Sequence, residues 1–422
     1  MRALRRRTVL AGLAGAFATA GCAPFASKPS FPLGVAAGDA LPGGALLWTH
    51  FTGDDALDVV VWPEAGDVST PRRQAAPDED GFAVVDVTGL DPGTLYLFRF
   101  ESADGQVSPH GRFRTALAPD ALEVVTIGAT SCIKHGHKYD TLARAAERTD
   151  LDAFVFLGDA VYTDGASTLS DFRRKWADGL GGPEYVALRG STSMITQWDD
   201  HEVRNNWEGD KVDEKLLTAA RRAFLEHQPI RQDPARPLRF WRTLKWGLTA
   251  ELFILDARSE RDRAQGQYLS PEQLDWLVSS VTSSPAAFKL ILNTVPIGAF
   301  DSPFFAPFNE DNWQGFPAQR EELLRGLEAS GATGVIFVSG DFHFACFGRV
   351  AKEGPGSTLF EALVGPGANG PNPLPAYPSG DPWEFSSAVN NYTSFELDPF
   401  TKKATIRYHA GDGRIIFERV VG

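Results

Sequence analysis

The 422-residue sequence reads as an α/β protein in two parts, a small all-β sandwich followed by a larger layered sheet flanked by helices. Three observations carry that expectation. From Phe31 to about Thr115, short alternating apolar runs are separated by turn-forming residues. From Glu123 onward, strongly apolar β-rich runs alternate with amphipathic helical stretches. Four of those later runs end directly in ionisable or thiol side chains, and in sheet-helix proteins ligands gather at the carboxyl ends of strands.

The elements follow in order. Residues 1–22 read as an export signal: Arg5, Arg6 and Arg7 precede a small-residue apolar stretch from Val9 to Ala20, too short to span a bilayer. Arg6-Arg7-Thr8-Val9-Leu10 resembles a twin-arginine signal, with an ordinary secretory signal as the alternative. Thr19-Ala20-Gly21-Cys22 resembles a lipoprotein cleavage box, which would make Cys22 a lipid anchor. The expected location is periplasmic or cell-surface. Residues 23–30 look like a tether.

The sandwich, over 31–115, rests on runs such as Leu46–Trp48, Asp58–Trp62, Phe82–Val87 and Tyr96–Phe100, with turns at Pro42-Gly43-Gly44, Asp91-Pro92-Gly93 and Asp104-Gly105. Leu90–Tyr96 also resembles the strand entry of fibronectin-like domains. In the second part, over 121–422, strands are expected at Glu123–Gly128, Ala153–Leu157, Ser193–Trp198, Leu252–Asp256, Lys289–Asn293 and Val335–Ser339. Helices are expected at Thr141–Arg148, Leu216–His227, Pro271–Val281 and Arg320–Ser330, the third opened by Ser270 as cap and Pro271 in its first turn. The tail adds strands at Tyr392–Leu397, Ala404–His409 and Arg414–Val420, the last two joined by an Asp412-Gly413 turn.

A net charge of −13 argues against a general grip on nucleic acid, which needs surplus Lys and Arg. An acidic protein can still act on phosphates where bound metal ions reverse the charge locally. The four loaded strand ends supply ligands for such ions: Ser131-Cys132, Gly158-Asp159-Ala160-Val161-Tyr162, Asp199-Asp200-His201-Glu202 and Gly340-Asp341-Phe342-His343. Thiolate, phenolate and carboxylates with few His suit trivalent iron and a hard cation such as calcium or magnesium better than zinc. Once the signal is removed, Cys132 and Cys346 remain, and in an oxidising compartment a disulfide between them is the alternative use of Cys132.

These strand-end texts, in order and with Trp198–Trp207 as the most specific stretch, resemble the signature motifs of PhoD-type alkaline phosphatases. Phe31–Asp39 with Leu47-Trp48-Thr49 is similar to that family's N-terminal domain. The resemblance implies a layered metallophosphoesterase β-sandwich flanked by helices, preceded by the fibronectin-like domain, and an enzyme that hydrolyses phosphate esters with metal-activated hydroxide. It implies Cys132 and Tyr162 as iron(III) ligands and Asp159 as the carboxylate between metals. Asp200, Asp341, His343 and, toward calcium or another divalent cation, Asn206 complete the metal set. His201 falls on the catalytic histidine, acting with Asp159. Arg258, in Asp256-Ala257-Arg258, either steadies the substrate or holds a carboxylate. Asp199 and Asn205 read as supporting groups, Asn293 as a weak extra ligand, and His135 and His137 as cleft or solvent residues.

The expected partners are small phosphate esters and the twin-arginine machinery, with no nucleic acid. A phosphodiesterase of phospholipase D type is the alternative enzyme. A non-catalytic cell-surface protein with structural metals is the alternative of another class. The C-terminal strands, in place of a helix, predict an uncapped cleft, with Gly365–Pro382 as a mobile cover.

Overall fold

The computed structural model describes residues 30–66, 72–300, 303–305, 308–372 and 377–422, apart from the side chain of Asp210. The expected signal with Cys22, and the tether up to residue 29, lie outside the described residues. No helix among the described residues is long and apolar enough to cross a membrane.

The N-terminal part contributes β1 (Val35–Leu41), β2 (Gly44–His50), β3 (Leu57–Pro63), β4 (Arg73–Ala75), β5 (Phe82–Thr88), β6 (Leu95–Ser102) and β7 (Gly111–Arg114). The chain continues through β8 (Val125–Thr130), α1 (Asp140–Ala146), β9 (Ala153–Leu157), α2 (Leu169–Leu180), α3 (Pro183–Ser191), β10 (Ser193–Gln197) and α4 (Glu214–His227). Next come β11 (Arg242–Trp246), β12 (Ala250–Ile254), α5 (Pro271–Ser283), β13 (Phe288–Leu292), α6 (Pro317–Ser330) and β14 (Val335–Ser339). It closes with β15 (Ala345–Arg349), β16 (Phe360–Leu363), β17 (Trp383–Ser387), β18 (Asn391–Asp398), β19 (Lys403–Ala410) and β20 (Ile415–Val421).

Three sheets result: a nine-stranded one in the order β20-β19-β18-β8-β9-β10-β1-β2-β5, a seven-stranded one in the order β11-β12-β13-β14-β16-β15-β17, and β4-β3-β6-β7. The two large sheets bury one core between them, with Ile127, Val155 and Ile195 facing Leu252, Leu290 and Val338. The first sheet's outer face packs Phe154 and Phe156 under Leu142, Trp176, Leu188 and Phe224 of α1–α4. The second sheet's outer face packs Phe253, Ile291 and Phe337 under Leu277 and Leu323 of α5 and α6. Strands buried on both faces must be apolar throughout. That is why β9, β10, β13 and β14 read as continuous runs and were visible in the sequence.

The helices begin where capping predicts. Ser270 accepts the Gln273 N–H with Pro271 in the first turn of α5, and Asp213 accepts from Lys215 and Leu216 at α4. The sequence reading left α2 and α3 unassigned. α2 buries only Phe172, Trp176, Gly179 and Leu180, a narrow stripe, and Gly181-Gly182-Pro183 punctuates the pair.

β1, β2 and β5 pack Val35, Ala37, Leu47 and Ala83 against Val59, Val61, Phe98 and Phe100 of the four-stranded sheet. The same three strands extend the nine-stranded sheet, because β1 pairs in parallel with β10 through Ala37–Ser193 and Gly38–Met194. β1 was not foreseen as a strand. Gly38 is needed there: an added Cβ would lie 2.1 Å from the Pro229 carbonyl oxygen.

Candidate active site

The parallel strands β8, β9, β10 and β14 run into short loops at one edge of the two sheets. Among the described residues seven non-glycine positions have positive φ, and five of them are Cys132, Asp159, Asn206, Asp341 and His343. Left-handed backbone at non-glycine residues is unfavourable and persists where surroundings over-determine it. Here it turns the side chains of four separate strand ends toward one another.

The side chains meet in overlapping triads whose ligand atoms lie within 4.8 Å of one another: Cys132, Asp159 and His343; Asp159, Asp200 and His201; Asp199, Asp200 and Asp341. Asp159 and Asp200 are each shared by two triads. The Tyr162 hydroxyl donates to Asp159 Oδ2 at 2.9 Å and stands 3.0 Å from His343 Nε2. Tyr162 is thus not simply packed on the sheet. Asp200 and Glu202 are buried, not a solvated pair. Cys132 and Cys346 are both free thiols, so the disulfide alternative is absent. His135 and His137 are exposed. Asn206 lies on the cleft wall, its N–H donating to Asp200 Oδ2 at 2.7 Å.

Burial and the neighbouring Asp159 push both the Cys132 thiol and the Tyr162 phenol well above their usual ranges. Burial also raises Asp159, reinforced by Asp200, Glu202 and Asp199 against the pull of His201. Asp200 is the exception: against its burial, Arg258 and His201 hold it at about 2. Its Oδ1 is nevertheless buried without a hydrogen bond, its cationic neighbour being Arg258 Nη2 at 3.8 Å. A buried carboxylate oxygen without a hydrogen bond amid mutually repelling acids is the signature expected of a cation site. The donor set of thiol, phenol, imidazole and carboxylates fits a trivalent and a hard divalent cation.

His201 is held in a defined orientation. Its Nδ1 lies 2.5 Å from Asp164 Oδ2, and its ring lies against Tyr162 at 4.0 Å between centroids. Burial works against a charged ring, but Asp159, the Asp164 bond and Asp200 together raise it to about 11. Nε2 is left as the ring nitrogen available to the cleft.

Two expectations are narrowed. Of its two expected roles Arg258 takes that of holding carboxylates and not that of a substrate contact: it is fully buried, with Nε and Nη2 on Asp199 at 2.6 and 3.1 Å and Nη1 and Nη2 on Asp311 at 2.8 Å. Two carboxylates consume its fork, so it clamps the Asp199–Asp200 loop to the segment around Asp311. Of the expected Gly365–Pro382 cover, residues 373–376 lie outside the described residues and residues 366–372 are tied down by backbone hydrogen bonds. Gly367 N–H donates to Ser131 O at 2.8 Å, Ala368 N–H to Cys132 O at 3.3 Å, and Lys134 N–H to Ala368 O at 2.8 Å. Asn293 is likewise occupied, by Trp313 Nε1 at 3.2 Å and the Val295 carbonyl.

Four contributors went unassigned in the sequence. Asp164 orients His201. Glu202 accepts three backbone N–H groups, from Asp159, Ala160 and Asp199, and so ties two strand ends together. Asp311 completes the Arg258 clamp. Asn369 Nδ2 donates to the Tyr162 oxygen at 2.7 Å. Only Glu202 had a signal, its place within Trp198–Trp207.

The cleft over these residues has a volume of about 440 Å³ and is lined by His201, Asn205, Asn206, Asp311, Asp341 and His343 together with Phe308, Phe342 and Asn372. No helix forms in the last thirty residues; β18 pairs with β8, and β19 and β20 extend the sheet edge beyond it.

Residues 126–377 match the family model described as PhoD-like phosphatase, and residues 16–117 match that of the PhoD-like phosphatase N-terminal domain. Alkaline phosphatase D of Bacillus subtilis (strain 168) is 28% identical over 394 residues, covering 78% of this chain and 67% of that protein. A solved structure of PhoD superposes with a TM-score of 0.79 at 22% identity, covering 94% of this chain and 90% of that one. A purple acid phosphatase from yellow lupin (Lupinus luteus) seeds does so at 0.68 and 14%, covering 92% and 73%, which is a likeness of fold.

Proposed function

The chain belongs to the PhoD-like phosphatase family and is a phosphoric ester hydrolase; from that premise we propose that it is exported and cleaves small phosphate esters with iron(III) and a calcium or other divalent cation. The observation that carries this reading is the buried imbalance of charge. Asp159, Asp200 and Asp341 crowd a thiol and a phenol, and the buried guanidinium of Arg258 is divided among Asp199, Asp311 and, at 3.8 Å, Asp200. Cys132, Asp159, Tyr162 and His343 would hold the iron. Asp200, Asp341 and Asn206, with Asp159, would hold the divalent cation. Bound there, the metal ions supply positive charge that polarises a phosphoryl oxygen and makes a nucleophile of water near neutral pH.

The chain's own groups do the rest. Glu202 and Arg258 hold the ligand loops in register, so the carboxylates need not reorganise during reaction. Asp164 keeps Nδ1 of His201 occupied, and Nε2 carries the proton that passes to the departing alcohol oxygen as the ester P–O bond breaks. Water adds at phosphorus, and phosphate and alcohol leave. Export rests on the arginine-led text of residues 1–22, with a periplasmic or cell-surface location and lipidation at Cys22 as its consequences.

The test is His201→Ala. Turnover should fall about 100-fold or more with metal content retained, whereas metal lost in step with activity would make His201 a ligand and overturn its assigned role. Protein exported by its own signal should contain iron and be coloured by thiolate or phenolate charge transfer. A colourless, iron-free product overturns the iron assignment. The uncapped cleft supports a second reading as a phosphodiesterase, which the ratio of turnover on bis-p-nitrophenyl phosphate to p-nitrophenyl phosphate decides.

A further inference from the structure

Resting on the hydrolase reading, we propose that Phe308, backed by Phe342, forms a subsite for the alcohol half of the ester and selects alcohols that carry a flat apolar ring. The cleft is larger than its chemistry requires. Five phosphoryl heavy atoms at about 30 Å³ each, the share of a water molecule, fill roughly a third of it, leaving most of the 440 Å³ to the group on the other side of the ester oxygen.

The wall that faces this remaining space is aromatic. Phe308, which lines the cleft together with Phe342, is 36% exposed. An exposed large ring beside a polar site is a surface feature that marks recognition of an apolar partner. Behind Phe308 the rings continue inward: Phe342 at 6.0 Å, Phe300 at 5.6 Å from Phe342, and Trp383 stacked on Phe300 at 5.0 Å. The wall is therefore backed by rigid packing.

Its position is also tied to the reacting end. Phe308 N–H donates to Phe305 O at 2.8 Å and its carbonyl accepts from Asp311 N–H at 3.1 Å. Asp311 is gripped by Arg258, which grips Asp199 beside Asp200. One buried guanidinium thus sets the spacing between the phosphate end and the ring. Asn205, Asn206 and Asn372 supply the polar walls, so an aromatic surface is confined to one side.

Benzyl phosphate and ethyl phosphate release alkoxides of similar basicity and differ in the ring. In holoenzyme, Phe308→Ala should lower kcat/KM for benzyl phosphate about 10-fold, mainly through KM, and change ethyl phosphate less than about 2-fold. Phe308→Trp should restore it. Binding of benzylphosphonate by calorimetry should weaken in parallel and needs no turnover. If wild-type protein cleaves neither ester but binds benzylphosphonate through Phe308, the hydrolase reading falls and the ring subsite stands. Equal loss on both esters, or benzylphosphonate binding indifferent to Phe308, overturns the subsite. So does a variant that keeps full benzyl phosphate activity but is released from phosphatidylglycerol vesicles, which would assign the ring to a lipid surface.

Discussion

Asp39, within β1, and Asp159, just past the end of β9, are both fully buried aspartates with positive φ, 43° and 54°. Their surroundings are opposite. Asp39 receives Arg242 Nε and Nη2 at 2.8 Å each and the Arg231 N–H at 2.8 Å. It joins β1 of the N-terminal sandwich to β11 and the chain before it. Asp159 receives a phenol and a backbone N–H, and its charged neighbours are mostly further acids. A buried carboxylate matched by guanidinium is complete within the protein; one surrounded by like charge is complete only with a cation. The comparison separates a joint from a reaction centre, although residue type, burial and backbone conformation are the same in both.

The largest effect is expected at the joint. Arg242→Ala leaves Asp39 buried without its ion pair and should lower unfolding free energy by about 3–5 kcal/mol, with metal bound per folded molecule unchanged. Denaturant unfolding with elemental analysis measures both. Metal loss in the folded variant would mean that joint and centre are one unit, and would break the comparison.

The joint should also be acid-sensitive. His227, packed on Phe82 of the sandwich and stacked on Trp176, is held by burial down to about 3, its bond to the Ala223 carbonyl opposing this only partly. Because the folded value lies below the ordinary 6.5, the unfolded chain takes up the proton first as pH falls. Stability is whole above about 6.5 and declines from there toward 3. At pH 5.5 the loss from this group is about 1.4 kcal/mol. His227→Gln should flatten that slope between pH 7.5 and 5.5; an unchanged slope would move the acid sensitivity elsewhere.

The smallest effect has the opposite sign. In chelator-treated protein, Asp159→Asn removes one of the crowded charges and should raise stability, on the order of 1 kcal/mol. Asp39→Asn should lower it under the same conditions. If Asp159→Asn destabilises the metal-free protein as Asp39→Asn does, then both carboxylates are structural and the cation argument at Asp159 loses its footing.

Much of the centre was legible in the text because its ligands stand at fixed offsets from buried runs. A run apolar on both faces is a recognisable strand, and the first polar residues after it lie at the sheet edge. Cys132, Asp159, Asp200, His201, Asp341 and His343 were found this way. Arg258 sits at such an edge too, and its two expected roles stayed open for that reason: adjacency to a strand end does not say whether a side chain faces the cleft or turns beneath it. Asp164 and Asn369 lie outside any run. Asn369 meets Tyr162 across 207 residues of chain, a contact with no local trace.

The sequence by itself determined the α/β class, the strand ends and the acidic, thiol- and phenol-bearing set gathered on them. These are properties of period, burial and residue type along a local stretch. Only the tertiary structure decided that β1, β2 and β5 serve the sandwich and the main sheet at once, that Arg258 gives its hydrogen bonds to Asp199 and Asp311 while an oxygen of Asp200 is buried without one, and that Phe308 faces the cleft. Which charge is paired and which is left over depends on partners brought together from distant parts of the chain, and no local pattern encodes that pairing.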